Sequence, residues 1–189
     1  MAQKKRNRYD LLLQVDNLLK TELDSKKTFF KDLDKIKDEN ISNFDLSKEQ
    51  MLYIDSMSNI TKSKLVFGTK NSMIKLVDGC EFDVSRKTIA ATKLNEDDEL
   101  IFVNPVIEGD SLVMQSQKDM FLRIDAITIP EKKKTAVGVR GMKLAKGDLL
   151  SNYYVVKEAE SNVEIQVNNK TISISRLHLG SRDTKGVKK

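Results

Sequence analysis

Basic side chains recur at matched places along this chain, and the chemistry open to them is the capture of anionic oxygens. Lys93 and Lys143 stand fifty residues apart, while Arg86 and Lys87 correspond at a spacing of forty-seven to Lys133 and Lys134. Lys75 and Arg123 follow the same type of turn, one position apart in that frame, and Lys132 and Arg140 extend the set. Cations repeated on neighbouring structural units form a stripe that engages phosphates, with affinity that depends on salt and little on base sequence. The same residues also fit a second reading, as the polar alternates of half-buried strands.

Other chemistry is poorly represented. His178 is the sole histidine and sits between Leu177 and Leu179, which predicts a partly buried strand position rather than a catalytic one. Cys80 has no cysteine partner, so neither a disulfide nor a zinc site of usual ligand spacing is expected, and a lone cysteine fits a reducing compartment. Gly138 and Gly141 lack the spacing and the lysine of a phosphate-binding loop. Glu96, Asp97, Asp98 and Glu99 read as an acidic turn between strands. Asp98 and Asp148 recur, each two residues before a leucine, as turn residues do. No catalytic or metal-ligating residue is assigned.

The elements that must position these groups are set by a repeat. Leu65/Leu112, Val66/Val113, Met73/Met120 and Thr88/Thr135 match at an offset of forty-seven, and Asp98/Asp148 and Leu100/Leu150 match at fifty. Self-similarity of this length marks stacked or radially arranged units. Short runs rich in β-branched and aromatic residues read as strands: Met51–Ile54, Lys64–Phe67, Met73–Leu76, Glu99–Val103, Ser111–Met114, Phe121–Ile124 and Tyr153–Val156. Thr69 to Ser72 and Ser116 to Asp119 read as equivalent hairpin turns. Asn168-Asn169 tolerates positive φ and suits a tight hairpin between Val163–Val167 and Ile172–Ile174.

Residues 1–40 differ. Leu12, Val15 and Leu19 make one apolar stripe and Phe29 or Phe30, Leu33 and Ile36 another, which predicts a helical segment, in one piece or two. Such a stripe needs a partner surface, supplied by the following domain or by a second chain. The domain boundary falls near Asn40, with a β domain over 41–189 and its repeats at about 64–106 and 111–156. Of the first eight residues four are basic, but Asp10, Gln14, Asp16 and Asn17 interrupt the run behind them, so a secretory signal is not expected. No stretch approaches the ~18 apolar residues of a membrane span, and a cytoplasmic protein without a membrane partner is expected. The net charge of +5 is unevenly placed, in clusters at both ends and at Lys132 to Lys134, which points to an anionic partner.

The run Thr88 to Ile101 resembles the blade signature in the C-terminal domain of the A subunit of bacterial type IIA DNA topoisomerases, that is, of DNA gyrase and topoisomerase IV. Ala136-Val-Gly-Val-Arg-Gly-Met-Lys-Leu-Ala-Lys-Gly-Asp-Leu149 is similar to a second copy, and the hairpins Val66–Leu76 and Val113–Ile124 resemble the start of each blade. The resemblance implies a mainly β fold, a partial β-pinwheel of propeller-like blades preceded by the helical segment. Ile41 to Ser58 looks like the tail of a preceding blade and Ser161 to Lys189 like a closing segment. It implies double-stranded DNA as partner, held along a basic blade rim by Lys75, Arg86, Lys87, Lys93, Arg123, Lys132, Lys133, Lys134, Arg140 and Lys143. The topoisomerase B subunit, or a second copy of the A subunit, would be the protein partner.

Lys31 to Glu39 is similar to the helix leaving the gate coiled coil of that family. Arg8-Tyr9 reproduces only the arginine-tyrosine pair of its catalytic motif, so Tyr9 reads as a helix-start residue and the chain alone is not expected to cut DNA. In the parent enzyme Mg²⁺ and ATP enter through the rest of the machine and its ATPase partner; no cofactor is expected in this chain. The family's glutamine- and glycine-rich basic box is absent. Two complete repeats against the family's five or six blades imply a truncated or internally deleted member. A non-catalytic interaction module using the N-terminal helix is the alternative function.

Overall fold

Two tight turns, each closed by an L-residue in the left-handed region, set the frame of the fold. Ser72 (φ 66°) and Asp119 (φ 58°) adopt this conformation, and their amides donate to the carbonyls of Thr69 and Ser116 at 3.0 Å. The Thr69 hydroxyl accepts the Met73 amide at 3.1 Å, and the Ser116 hydroxyl accepts the Lys118 amide at 3.2 Å. Short polar side chains bond their own turn in this way, which is why serine, threonine and aspartate recur there. The computed structural model describes residues 52–86 and 89–189. The helical segment expected over residues 1–40, Tyr9 and Lys87 lie outside the described residues.

A short helix α1 (Met57–Ile60) leads into β1 (Lys64–Thr69) and β2 (Met73–Asp78). A 3-10 turn over Gly79–Phe82 and a long loop separate β2 from β3 (Leu100–Val106). The second unit repeats the pattern with β4 (Ser111–Ser116), β5 (Met120–Asp125) and a 3-10 turn over Ala126–Thr128. Then come β6 (Val139–Arg140) and β7 (Leu150–Val156). A third, shorter unit holds the hairpin β8 (Glu164–Val167) and β9 (Lys170–Ser173) and the two-residue strand β10 (Val187–Lys188). Asp78 and Asp125, equivalent by the repeat, each cap a 3-10 turn by accepting the amide two residues on.

The strands do not form sheets in chain order. One sheet runs β3-β1-β2-β6 and the next β10-β5-β4-β7. Each blade therefore builds three strands from its own unit and borrows the fourth from the unit after it. Neighbouring strands within each sheet pair antiparallel, with Val66 opposite Leu76 in the first blade and Leu112 opposite Ile124 in the second, while isolated parallel bridges such as Leu76 to Glu131 join the units. The long strands β3 and β7 adjoin each other, and β6 and β10 take the opposite edges. This is the propeller-like, mainly β architecture that the resemblance implied. The expected run Met51–Ile54 forms no strand over its described residues; Tyr53 packs instead against Leu65, Phe67 and Val77.

Strands buried on both faces read as near-continuous apolar runs; the cores of β1 and β4 do so, while Lys75 interrupts β2 and Arg123 interrupts β5. Val66, Ile74 and Leu76 meet Leu112, Met114, Leu122 and Ile124 between the two blades. Burying each such side chain contributes roughly 1.5–3 kcal/mol, so this seam is the main adhesive of the array. Beyond the second blade, Val113 and Phe121 pack on Ile172, Ile174 and Leu177 of the third unit. The hairpin of that unit turns on Asn168 and Asn169, both at positive φ (49° and 62°), as expected from the pair.

Candidate nucleic-acid interface

Because each blade borrows its edge strand, the loops of one unit are laid against the strands of the unit before it. At the first junction the Leu76 amide donates to the Pro130 carbonyl (3.1 Å), and the Lys132 amide donates to the Leu76 carbonyl (2.8 Å). That seats the triple-lysine loop beside β2. Glu81 fixes it further, accepting the Lys134 amide at 2.8 Å and pairing with the Lys133 ammonium at 3.4 Å. The Lys134 amide bond, with the two lysine charges beside it, holds the Glu81 carboxyl below its ordinary range despite the opposing effect of burial.

Lys75 is the surprise of this junction. It is 1% exposed, the largest fully buried side chain among the described residues. Its ammonium donates to three backbone carbonyls, those of Lys133 (3.1 Å), Lys134 (2.9 Å) and Ala136 (2.7 Å). It also lies 5.6 Å from the centre of the Phe67 ring, close enough for a cation–π contact. Burial pushes its pKa below the usual lysine range. Three donors meet three carbonyls, so the ammonium is saturated and has nothing left for a phosphate.

Arg123 does similar work by another route. Its Nε donates to the Ser111 hydroxyl at 2.8 Å, and its Nη1 donates to the carbonyls of Ser175 and, at 3.3 Å, Leu177. The two cations were expected to share one surface. They do not, because a one-residue shift along a strand turns a side chain to the other face. Lys75 shares the face of its cross-strand partner Phe67, away from the second blade, and Arg123 that of Val113, towards the third unit. Lys75, buried and saturated, is therefore corrected from a rim contact to a tie on the incoming chain of the next unit, and half-buried Arg123 makes the corresponding tie to the third unit.

The second junction gathers cations that do remain accessible. Arg140 on β6 pairs with Asp183 at 3.1 Å, both exposed. Arg182 donates to the Arg140 carbonyl at 3.3 Å and to the Thr128 carbonyl at 3.2 Å. The Lys143 amide donates to the Thr184 carbonyl at 2.9 Å. Arg140 thus holds the Asp183 carboxylate, and the backbone bond from Lys143 to Thr184 brings the segment carrying Lys143 beside the one carrying Arg182 and Lys185. Arg140, Lys143 and Lys185 are exposed and Arg182 is half-buried. Neither Arg182 nor Lys185 was singled out from sequence. Their signal was available in the basic tail, but not their placement beside Arg140.

Of the remaining expected residues, Lys93 and Lys132 to Lys134 lie at the first junction. Arg86 and Lys93 are exposed and Lys132 is half-buried; Lys93 and Leu94 line a shallow cleft with Val137 and Gly138. Lys133 is exposed and Lys134 half-buried, its ammonium 5.9 Å from the Phe82 ring centre. His178 is exposed in a loop rather than placed in a strand. Asp98 accepts from the Thr69 hydroxyl (2.7 Å) and the amides of Asn71 and Glu99, the turn role expected of it. Among the described residues no three histidine, cysteine or carboxylate side chains are grouped to hold a metal ion, and no helix is long and apolar enough to cross a membrane.

Comparison with known proteins places this arrangement. Residues 63–107 and 110–157 match the family model described as the DNA gyrase C-terminal domain, beta-propeller. The chain is 29% identical over 128 residues to the DNA gyrase A subunit of Lawsonia intracellularis, a match covering 65% of this chain and 16% of that one. It is 27% identical over 165 residues to the DNA topoisomerase 4 A subunit of Streptococcus pneumoniae, covering 84% and 20%. The chain thus spans a fifth or less of the length of these relatives. A solved DNA gyrase A C-terminal domain superposes with a TM-score of 0.63 at 24% identity, over 81% of this chain and 53% of that one. The C-terminal domain of DNA topoisomerase IV gives 0.60 at 19%, over 66% and 40%. At these identities the structural likeness is one of fold.

Proposed function

The two stacked blades belong to the DNA gyrase C-terminal β-propeller family, and on that premise we propose that this chain holds duplex DNA by its phosphates along the junctions between blades. The observation that carries the reading is the meeting of residues 140–143 with residues 182–185, pinned by the Arg140–Asp183 ion pair, which brings the four cations Arg140, Lys143, Arg182 and Lys185 to one junction. Lys93, Lys132 and Lys133 supply the corresponding charge at the first junction, and exposed Arg86 with its neighbour Lys87 extends the set. Side chains on exposed loops are free to follow a phosphate backbone, and contacts of this kind position a duplex without reading its bases. Lys75 and Arg123 contribute indirectly, by fixing the loops that carry the contacts.

In this reading the chain supports a change of DNA topology in the cytoplasm, as the DNA-holding part of the A subunit of a type IIA topoisomerase. Strand cleavage, Mg²⁺ and ATP belong to the remainder of that machine, and its B subunit or a second A subunit is the protein partner. Titration of a random-sequence duplex at increasing salt tests the proposal. The four cations of the second junction alone predict that affinity falls at least about 100-fold between ~50 and ~200 mM monovalent salt. Absence of binding at the low-salt end would overturn it.

A further inference from the structure

The third unit is built differently from the two before it. In the first blade both faces of the hairpin are apolar, with Leu65, Phe67 and Val77 on one side and Val66, Ile74 and Leu76 on the other. In the second blade Leu112, Met114, Leu122 and Ile124 occupy one face and Val113 and Phe121 the other. In the β8–β9 hairpin only the face towards the second blade is apolar. Ile165 lies opposite Ile172, and both pack with Val163, Val167 and Ile174 against Val113 and Phe121. The alternate residues are Glu164, Gln166, Thr171 and Ser173. Gln166 lies opposite Thr171 and donates to its hydroxyl at 2.7 Å, while Glu164 lies opposite Ser173. Glu164, Gln166 and Thr171 are exposed.

A further blade stacked on this surface would bury a carboxylate and an amide against apolar side chains, which disfavours the contact. Arrays of stacked units end in units of this kind, apolar inward and polar outward. We infer that the β8–β9 hairpin is a cap: no further blade stacks on its Glu164/Gln166/Thr171 face, which stays in water. It neither closes on the first blade nor receives a second copy of this chain. The strands fit the role, since they are four residues each and Lys170 begins β9, both features that blunt an exposed edge. For a duplex following the junctions, this would be the point where it leaves the protein. That consequence rests on the proposed function; the cap itself does not.

Thiol accessibility in the full chain tests the cap without DNA. In a Cys80→Ser background, Gln166→Cys is expected to react with a maleimide at the rate of an unfolded peptide, at every protein concentration. Ile172→Cys is expected to react about 100-fold more slowly, because reaction must await local opening. Protection of Gln166→Cys comparable with that of Ile172→Cys, or protection that grows with protein concentration, would overturn the cap. Should the Ile172 variant not fold, the paired change Gln166→Val with Thr171→Val decides the matter. An open face made apolar is expected to produce a concentration-dependent associated species that the unsubstituted chain lacks. An unchanged sedimentation profile would mean that the face is already covered.

Discussion

Tyr153 of the second unit lies directly over Gly68 of the first. A Cβ at position 68 would stand 2.6 Å from the Tyr153 ring, and the ring's hydroxyl donates to the Thr69 carbonyl at 2.7 Å. The ring also stacks on Phe102, with centroids 5.3 Å apart. The inner seam between the blades is thus keyed by the absence of one side chain and the reach of another, and burial pushes the phenol's pKa well above its usual range.

The seam makes a pair of stability predictions. Gly68→Ala is expected to cost about 1–3 kcal/mol, because the tyrosine ring must move out of a filled space. Tyr153→Phe keeps the ring and loses only the hydroxyl bond, for about 1 kcal/mol. Urea unfolding reads both, as a lower midpoint at unchanged slope.

The buried ammonium separates folding from binding. Lys75→Met removes the donor of three carbonyls and is expected to destabilise the chain by roughly 2–4 kcal/mol. At a temperature where it remains folded, it should leave the salt dependence of DNA binding unchanged. Lys143→Gln should do the reverse, with unchanged stability and a shallower salt dependence. Circular dichroism melts and DNA titrations on the two variants check both halves.

Acid sensitivity should reside in Asp110. Its burial favours the neutral form, but the hydrogen bond to Lys157 (2.8 Å) and the amides of Ile107 and Glu158 prevail and hold its pKa below the ordinary 3.8. Between the folded and unfolded values the unfolded chain binds more protons, so stability rises with pH there. The contribution is complete above the unfolded value and is lost as pH falls through the folded one. Asp110→Asn is expected to lower stability near pH 7 and to flatten the acid limb. A limb as steep as that of the unsubstituted chain would contradict this.

The unit of the fold was legible in the sequence, but its assembly was not. The turns at Thr69–Ser72 and Ser116–Asp119 and the Asn168-Asn169 hairpin follow from local chemistry, and Asp98 acts as the turn residue that its recurrence suggested. The exchange of β6 and β10 into neighbouring sheets leaves no such trace, since two residues are too few to carry a period. Lys75 misled for a related reason. Alternation identifies a face but not what covers it, and the carbonyls that cover Lys75 arrive from 58 to 61 residues along the chain. The cluster at Arg140 was half visible, because the segment carrying Arg182 and Lys185 reaches it only through the tertiary pairing of Arg182 and Asp183.

The central claim is that exposed cations at the blade junctions hold DNA phosphates. Its most direct measurement compares the salt dependence of duplex binding in the unsubstituted chain and in one carrying Arg140→Gln, Lys143→Gln, Arg182→Gln and Lys185→Gln. These side chains lie outside the apolar seams, so the fold should survive, as circular dichroism would verify. The slope of log affinity against log salt should become shallower by about 0.9 for each phosphate left unneutralised, roughly 3–4 in all. A folded variant that binds with the slope of the unsubstituted chain would contradict the account.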